Sequence, residues 1–379
     1  MLWPAHPAIP AGDDGRFRGR LFLENGRIAR GTWIDRYLQG LASMSVSGDP
    51  VSKVSVIIPA YKAQESIGET IAAVLENRDV LEVIVVDDMS PDATAMIVER
   101  HAQRDQRVRL LRNPQNGGAG YSRNAGMAVA RGDYYYFLDA DDMVAHRSID
   151  EVVYHMEANG CDVMVFRYRY VTDRSGRLDP MLPIDNDAWR ELVGDTDIGV
   201  FTLDQCGRLL FTVNFPWNKI VSAKLCRETG LRFSETRVHN DIYAHWHIYL
   251  HARKIGMMNR YLIGHRVYQD RVQLTNVFTE KRFEVFKAFA EVEALFTRLP
   301  RMKEAYYQWF LRSKFDLLDW IYPQLPFDLR ERFFALVRQC YEDYGQADYE
   351  NVRRQSFETA DIALRLKQAP HLILGKTPR

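Results

Sequence analysis

Between residues 54 and 171 short apolar runs alternate with amphipathic stretches, and few folds accommodate that alternation. VSVIIPAY (54–61), LEVIVVDD (81–88), VRLLRN (108–113), YYYFLDADD (134–142) and CDVMVFRYRYV (161–171) read as strands. Runs this apolar need cover on both faces, which in an alternating chain means a mainly parallel sheet flanked by helices. The segments between them carry helix signals. Ser66 stands three residues before Glu69, a capping-box spacing that predicts a helix to about Arg78. Ser90 and Pro91 suit N-cap and N1 of a helix to about Arg104. A loop with Gly117, Gly118 and Gly120 leads to a helix closed by Gly132, and Asn159-Gly160 closes a helix begun near Ser148.

In such sheets ligands bind beyond the carboxyl ends of the strands. Pro59-Ala60-Tyr61, Asp87-Asp88, the glycine loop and Asp139–Asp142 all fall there. The fourth run ends in three carboxylates, Asp139, Asp141 and Asp142. That charge at the end of a buried strand is costly unless a cation meets it. Asp139 and Asp141, spaced i, i+2, can approach one ion where the chain curls, and their hard oxygens suit Mg²⁺ or Mn²⁺ carrying a diphosphate. Arg123, just after the glycines, can fork onto phosphate oxygens, although no Walker G-K-[ST] follows. Each piece has a plainer reading: an Asp-rich turn, acids complementing a helix dipole, a simple glycine turn. Their convergence on one edge favours a metal–nucleotide site.

From about 172 to 275 the pattern is irregular, with PWNK (216–219), VHNDIYAHW (238–246) and a strand-like NRYLIGHRVYQ (259–269). Asp241 suits either a general base or a helix cap. His247 and His251 are spaced i, i+4, so zinc has to be weighed. With no H-E-x-x-H and with Trp246 and Tyr249 alongside, packing is the better reading for them and for His239 and His245. His265, on the strand-like segment, could reach the metal. Beyond about 279 apolar residues recur at helical spacing. AYYQWFLRSKFDLLDWIYPQLP (305–326) reads as a membrane-surface helix or as part of a packed helical subdomain, and its acids favour the subdomain.

Fifty basic and fifty acidic residues balance, which argues against a dedicated nucleic-acid binder. Four cysteines without paired spacing suit a reducing, cytoplasmic setting, and no run of about 18 apolar residues predicts a spanning helix. Residues 1–43 lack periodicity and read as an extension or as sequence before a later start at Met44. The expected division is thus 1–43, a catalytic domain over 44–277, and a helical region over 278–379.

Taken in order, VSVIIPAYKAQESIGETIAAVL, VIVVDDMSPDAT, NGGAGYSRNAGMAVARGDYYYFLDADD, and WNK followed by NDIYAHW resemble the family 2 glycosyltransferases over roughly residues 52–275. The resemblance implies a GT-A fold and an inverting, metal-dependent transfer from a nucleotide-sugar donor, most simply a UDP-sugar, to a saccharide or lipid-linked acceptor. It implies that Pro59, Ala60 and Tyr61 line the nucleotide pocket with Gly118, that Asp88 contacts the base, and that Arg123 lies near the ribose or diphosphate. Asp139 would lie near the ribose and share the metal with Asp141, with Asp142 as a supporting acid. Asp241 matches the second acid of the family's Glu-Asp pair, its catalytic base. Asn240 stands where the Glu would be. A bacterial cell-surface polysaccharide or lipopolysaccharide is the expected product, with membrane contact through the C-terminal helices as an option. A nucleotidyltransferase would need a Gly-rich basic loop after the first strand, which PAYKAQES lacks. A receiver-type signalling domain would have VVDD but no second acidic cluster. A degenerate transferase fits poorly with the retention of Asp141 and Asp241.

Overall fold

The computed structural model describes residues 53–172, 177–268 and 278–375. Residues 1–43, expected to be an extension or sequence before a later start, fall outside them. The apolar runs become β1 (Val54–Ala60), β2 (Val80–Asp87), β3 (Val108–Arg112), β4 (Tyr134–Phe137) and β6 (Val163–Thr172). A two-residue strand, β5 (Met143–Val144), follows the acidic turn. Helices α1 (Ile67–Leu75), α2 (Thr94–Ala102), α3 (Gly118–Val129) and α4 (Ser148–Asn159) separate the strands. The helix ends show where local chemistry departs from the expected caps. Ser66 is the N-cap of α1 but makes no side-chain cap bond; its hydroxyl turns back to the Ala63 carbonyl. Helix α2 begins at Thr94 rather than after Ser90, because the Asp92 carboxylate takes both the Thr94 N–H and its hydroxyl and delays the first turn. Gly132 does not close α3, which ends at Val129. It lies where β4 starts, and a Cβ there would sit 2.5 Å from the Lys53 carbonyl oxygen. Gly160 does close α4, in the left-handed conformation.

The irregular middle adds β7 (Leu178–Asp179), α5 (Pro183–Leu192), β8 (Ile198–Phe201), α6 (Leu203–Cys206), β9 (Lys219–Ser222), α7 (Ala223–Thr229), α8 (Ile242–His251) and β10 (Ile255–Val267). Among the described residues the sheet runs β3-β2-β1-β4-β9-β6-β10-β5, with β7 on β6 and β8 on β10. Pairing is parallel from β3 through β4, and again between β6 and β10. Strand β9 runs antiparallel between β4 and β6. The sheet is therefore mixed, with a parallel Rossmann-like half of the GT-A type.

The C-terminal region holds α9 (Glu284–Arg298), α10 (Pro300–Ile321), α11 (Phe327–Cys340), α12 (Gln346–Gln355) and α13 (Phe357–Gln368). The aromatic face of α10 is core: Tyr306, Tyr307, Phe310, Phe315, Leu318 and Ile321 are buried. Phe310 packs edge-on against Trp246 of α8 and Phe289 of α9. The aromatic spacing thus serves packing between helices. No helix among the described residues is long and apolar enough to cross a membrane.

Candidate active site

Strand β4 stops at Phe137, and the chain turns through Leu138–Asp142 before β5. The Thr70 hydroxyl on α1 donates to the Ala140 carbonyl at 3.0 Å and lies 3.2 Å from that of Asp142, fixing the turn. Strand β5 then pairs antiparallel with β10, Gly264 opposite Met143 and Ile263 opposite Val144. That register sets His265 beside Asp142, the residue before β5. The His265 Nδ1 lies 2.7 Å from Asp142 Oδ1. Ligand atoms of Asp139, Asp142 and His265 fall within 4.8 Å of one another. Asp141, expected as a ligand, is outside that trio but close enough to raise the proton affinity of His265.

The charges are strongly coupled. Burial raises the Asp142 carboxyl to about 7, against the pull of His265. Burial alone would lower His265, but Asp142, with Asp141 and Asp139, raises it to about 9. Asp141 is raised by burial and by Asp139. Asp139, Asp142 and His265 thus gather where a divalent cation would fit. Among the described residues, the fully buried Asp142 Oδ2 has no hydrogen-bond partner. Two carboxylates suit either expected ion, and the imidazole nitrogen favours Mn²⁺ over the oxygen-seeking Mg²⁺, so these residues fit Mn²⁺ best. The His265 ring stacks on Trp217 at 4.9 Å and 12°, and Trp217 in turn stacks on Phe215.

Arg123 joins this cluster to the rest of the site. It is 4% exposed, donates from Nη2 to Asp139 Oδ1 at 2.6 Å and from Nη1 to Asn240 Oδ1 at 2.7 Å, and lies over the Phe233 ring. Its guanidinium is thus engaged by protein groups, and Asn240 has a defined use here as an acceptor. Asp241 is the N-cap of α8, yet its side chain makes no cap bond. Burial raises it to about 6, with Arg123 and Lys219 pulling the other way. Lys219 opens β9 almost wholly buried, and its ammonium donates to the Phe215 carbonyl. Burial lowers it to about 7, opposed by Asp241 and Asp185.

The nucleotide-side candidates lie at the adjoining strand ends. Pro59 and Ala60 finish β1, and Tyr61 is half exposed just beyond. Asp88 is buried and accepts from Asn113 Nδ2 at 2.7 Å and from the Gly117 and Gly118 N–H groups at 2.8 Å each. It therefore shapes the glycine loop, whatever else it touches. Gly118 has φ +88°, a conformation that favours glycine. Left-handed backbone also occurs at Lys62, Met89 and His239, residues that follow Tyr61, follow Asp88 and precede Asn240.

Asp139, Asp142, His265, Arg123, Asn240 and Asp241 thus form one linked group, with Asp88 and Tyr61 at neighbouring strand ends. His247 sits apart, bonded to Tyr243 and Thr229, and His251 stacks on it, so this pair is packing. The sequence pattern assigns no role to Trp217 or Lys219, although WNK is the signal that marks them. Asn240 shows in the sequence only as a departure from a pattern.

A family model described as Glycosyl transferase family 2 matches residues 55–225. Glycosyltransferase GlyG of Streptococcus pneumoniae is 26% identical over 270 residues, 67% of this chain and 88% of that protein. Glycosyltransferase GlyA of the same organism is 25% identical over 232 residues, 60% of this chain. This chain spans only 32% of the GlyA length. The solved structure of S. aureus TarS 1–349 in complex with UDP-GlcNAc superposes with a TM-score of 0.65 at 19% identity, over 83% of this chain and 88% of that one.

Proposed function

We infer that this chain, whose residues 55–225 match the model of glycosyl transferase family 2, transfers a sugar from a nucleotide-sugar donor to an acceptor hydroxyl with inversion. One observation carries the reading most directly. A cation-ready trio at the end of β4 is tied through a single buried arginine to the loop that bears a carboxylate poised near neutrality. A donor diphosphate needs the first and an acceptor hydroxyl needs the second.

Asp139, Asp142 and His265 would hold Mn²⁺ or Mg²⁺, with Asp141 adding negative charge to the same turn. The ion, when bound, offsets the charge that builds on the leaving diphosphate. Asp241 takes the proton of the acceptor hydroxyl as that oxygen attacks the anomeric carbon from the face opposite the nucleotide. A pKa of about 6 leaves it mostly ionised at neutral pH while keeping it basic enough to accept a proton. Arg123 holds Asp139 and Asn240 in register, so donor and base stay at a fixed separation. Pro59, Ala60, Tyr61, Gly118 and Asp88 would frame the nucleotide. TarS, which shares the fold, was crystallised with UDP-GlcNAc, and UDP-sugars are accordingly the donors to test first. The acceptor would be a saccharide or lipid-linked hydroxyl in cell-surface polysaccharide synthesis. Residues 44–277 would be the catalytic domain, with 278–379 as its helical companion.

Calorimetry of UDP, GDP and CDP with and without Mn²⁺ tests the donor side, and metal-dependent UDP binding is expected. Asp241→Asn should keep that binding and lose transfer by about 10²- to 10⁴-fold, the usual worth of a general base. Near-normal turnover in that variant would remove Asp241 from the mechanism.

A further inference from the structure

We propose that the start of α9 and the turn before it are a positioning device for the loop that carries Asp241, with Glu284 and Arg282 as the positioning residues. The inference rests on the reading of Asp241 as the base. The Glu284 carboxylate, in the first turn of α9, accepts from the Arg237 N–H and, at 3.3 Å, from the Val238 N–H. Arg282, two residues earlier, is 3% exposed and donates from Nη1 toward His239 Nε2 at 3.3 Å. Residues 237, 238 and 239 are thus each held from this region, directly before Asn240 and Asp241.

The backbone here needs such a hold. His239 has φ +61°, a conformation that costs a non-glycine residue energy and persists where surroundings enforce it. Its imidazole can accept from Arg282 only while neutral. Burial, then Arg282 itself, lowers it to about 3, so the contact survives at any working pH. On its other side the loop is tied to the donor half of the site. Arg237 bonds Asn116 beside the glycine loop, and Asn124 exchanges hydrogen bonds with the Phe233 backbone. The loop is clamped between α3 and α9, and removing one jaw frees Asp241 without touching the donor strand ends. The helical region is on this account part of the catalytic apparatus.

The test uses the full chain with Glu284→Ala, Glu284→Gln and Asp241→Asn. Turnover is read as UDP release from UDP-GlcNAc, donor affinity by UDP calorimetry with Mn²⁺, and loop order by hydrogen exchange of peptides spanning 231–241. Glu284→Ala is expected to speed exchange in that loop and to lower kcat by about ten-fold or more, with the UDP Kd within about two-fold. Glu284→Gln keeps an acceptor in place and should restore most of the rate; being nearly isosteric, it also serves if the alanine variant folds poorly. Unchanged exchange, or faster exchange with unchanged kcat, overturns the proposal. If Glu284→Ala loses rate while Asp241→Asn keeps it, the positioning role stands and the base assignment is what fails.

Discussion

Gly120 is the point where the two halves of the site touch. A Cβ there would lie 2.1 Å from the Ser234 carbonyl oxygen and 3.0 Å from the Asn240 Cβ. For Gly120→Ala to reach ordinary contact at 3.4 Å, helix α3 and the loop must separate by about 1.3 Å. The nearest obstacle is backbone, so no side-chain rotation relieves it. Ser234 cannot yield alone, since its N–H is bonded to the Asn240 carbonyl at 3.0 Å and its hydroxyl to Glu291. The displacement therefore passes to Asn240 and Asp241. Overpacking of this kind costs about 1–3 kcal/mol of stability. A displacement near 1 Å at a reacting group can cost about 10²-fold in rate. Urea denaturation gives the first quantity, and UDP release at saturating donor gives the second. Gly230→Ala is the control: its Cβ would meet nothing within 4 Å, but its φ is +69°. It should lose about 1 kcal/mol from backbone conformation alone and keep its rate. If Gly120→Ala matched Gly230→Ala in both measurements, the close approach of α3 to the Asp241 loop would not govern the site.

Five further outcomes are expected. The acid limb of the kcat/KM profile should fall as pH drops through about 6, because protonated Asp241 cannot accept the acceptor's proton. In Lys219→Met that limb should move to higher pH, since the lysine charge favours ionised Asp241; a profile that stays put would detach Lys219 from the base. Asp142→Asn and His265→Ala should each weaken Mn²⁺ binding by about ten-fold or more, read by isothermal titration of the metal alone, and in the unaltered chain Mn²⁺ affinity should rise with pH as the His265 proton, held up to about 9, becomes easier to displace. Asp88→Asn replaces a carboxylate that accepts two glycine-loop N–H groups, at a cost of about 1.5–3 kcal/mol for a charged hydrogen bond; an unaltered UDP Kd and unfolding midpoint would refute its role in holding the loop.

Features confined to one segment are legible in the sequence itself. The apolar strands with their terminal acids declare a parallel half-sheet and the edge where chemistry sits. Short-range capping is less legible: at Ser66 and Ser90 a hydroxyl bond to Ala63 and an Asx turn at Asp92 win over the expected motif. What stays hidden depends on register. Nothing local distinguishes Asp141 from Asp142 as the partner of His265; the pairing of β5 with β10 decides it. The same holds for Glu284, whose partners are backbone N–H groups 46 and 47 residues away and leave no residue signature.

The aromatic run 305–326 shows why composition alone could not decide the purpose of the helical region. Tyr, Trp and Phe at helical spacing serve a bilayer surface and a helical core equally well. Burial of Tyr307 and Phe310 against α8 and α9, with the Tyr306 hydroxyl bonded to Asp204 of α6, selects the core. Helix α8 begins immediately after Asp241, and α9 begins at Glu284, so this core joins the two helices whose N-terminal ends meet at the Asp241 loop. Loosening it should therefore affect the rate before it affects the nucleotide. Phe310→Ala, which empties a large buried side chain at a cost of about 3–5 kcal/mol, is expected to lower kcat at temperatures well below its unfolding midpoint while leaving UDP affinity near that of the unaltered chain. Equal losses in both would mean that the helical core supports the whole fold evenly and has no particular hold on the loop.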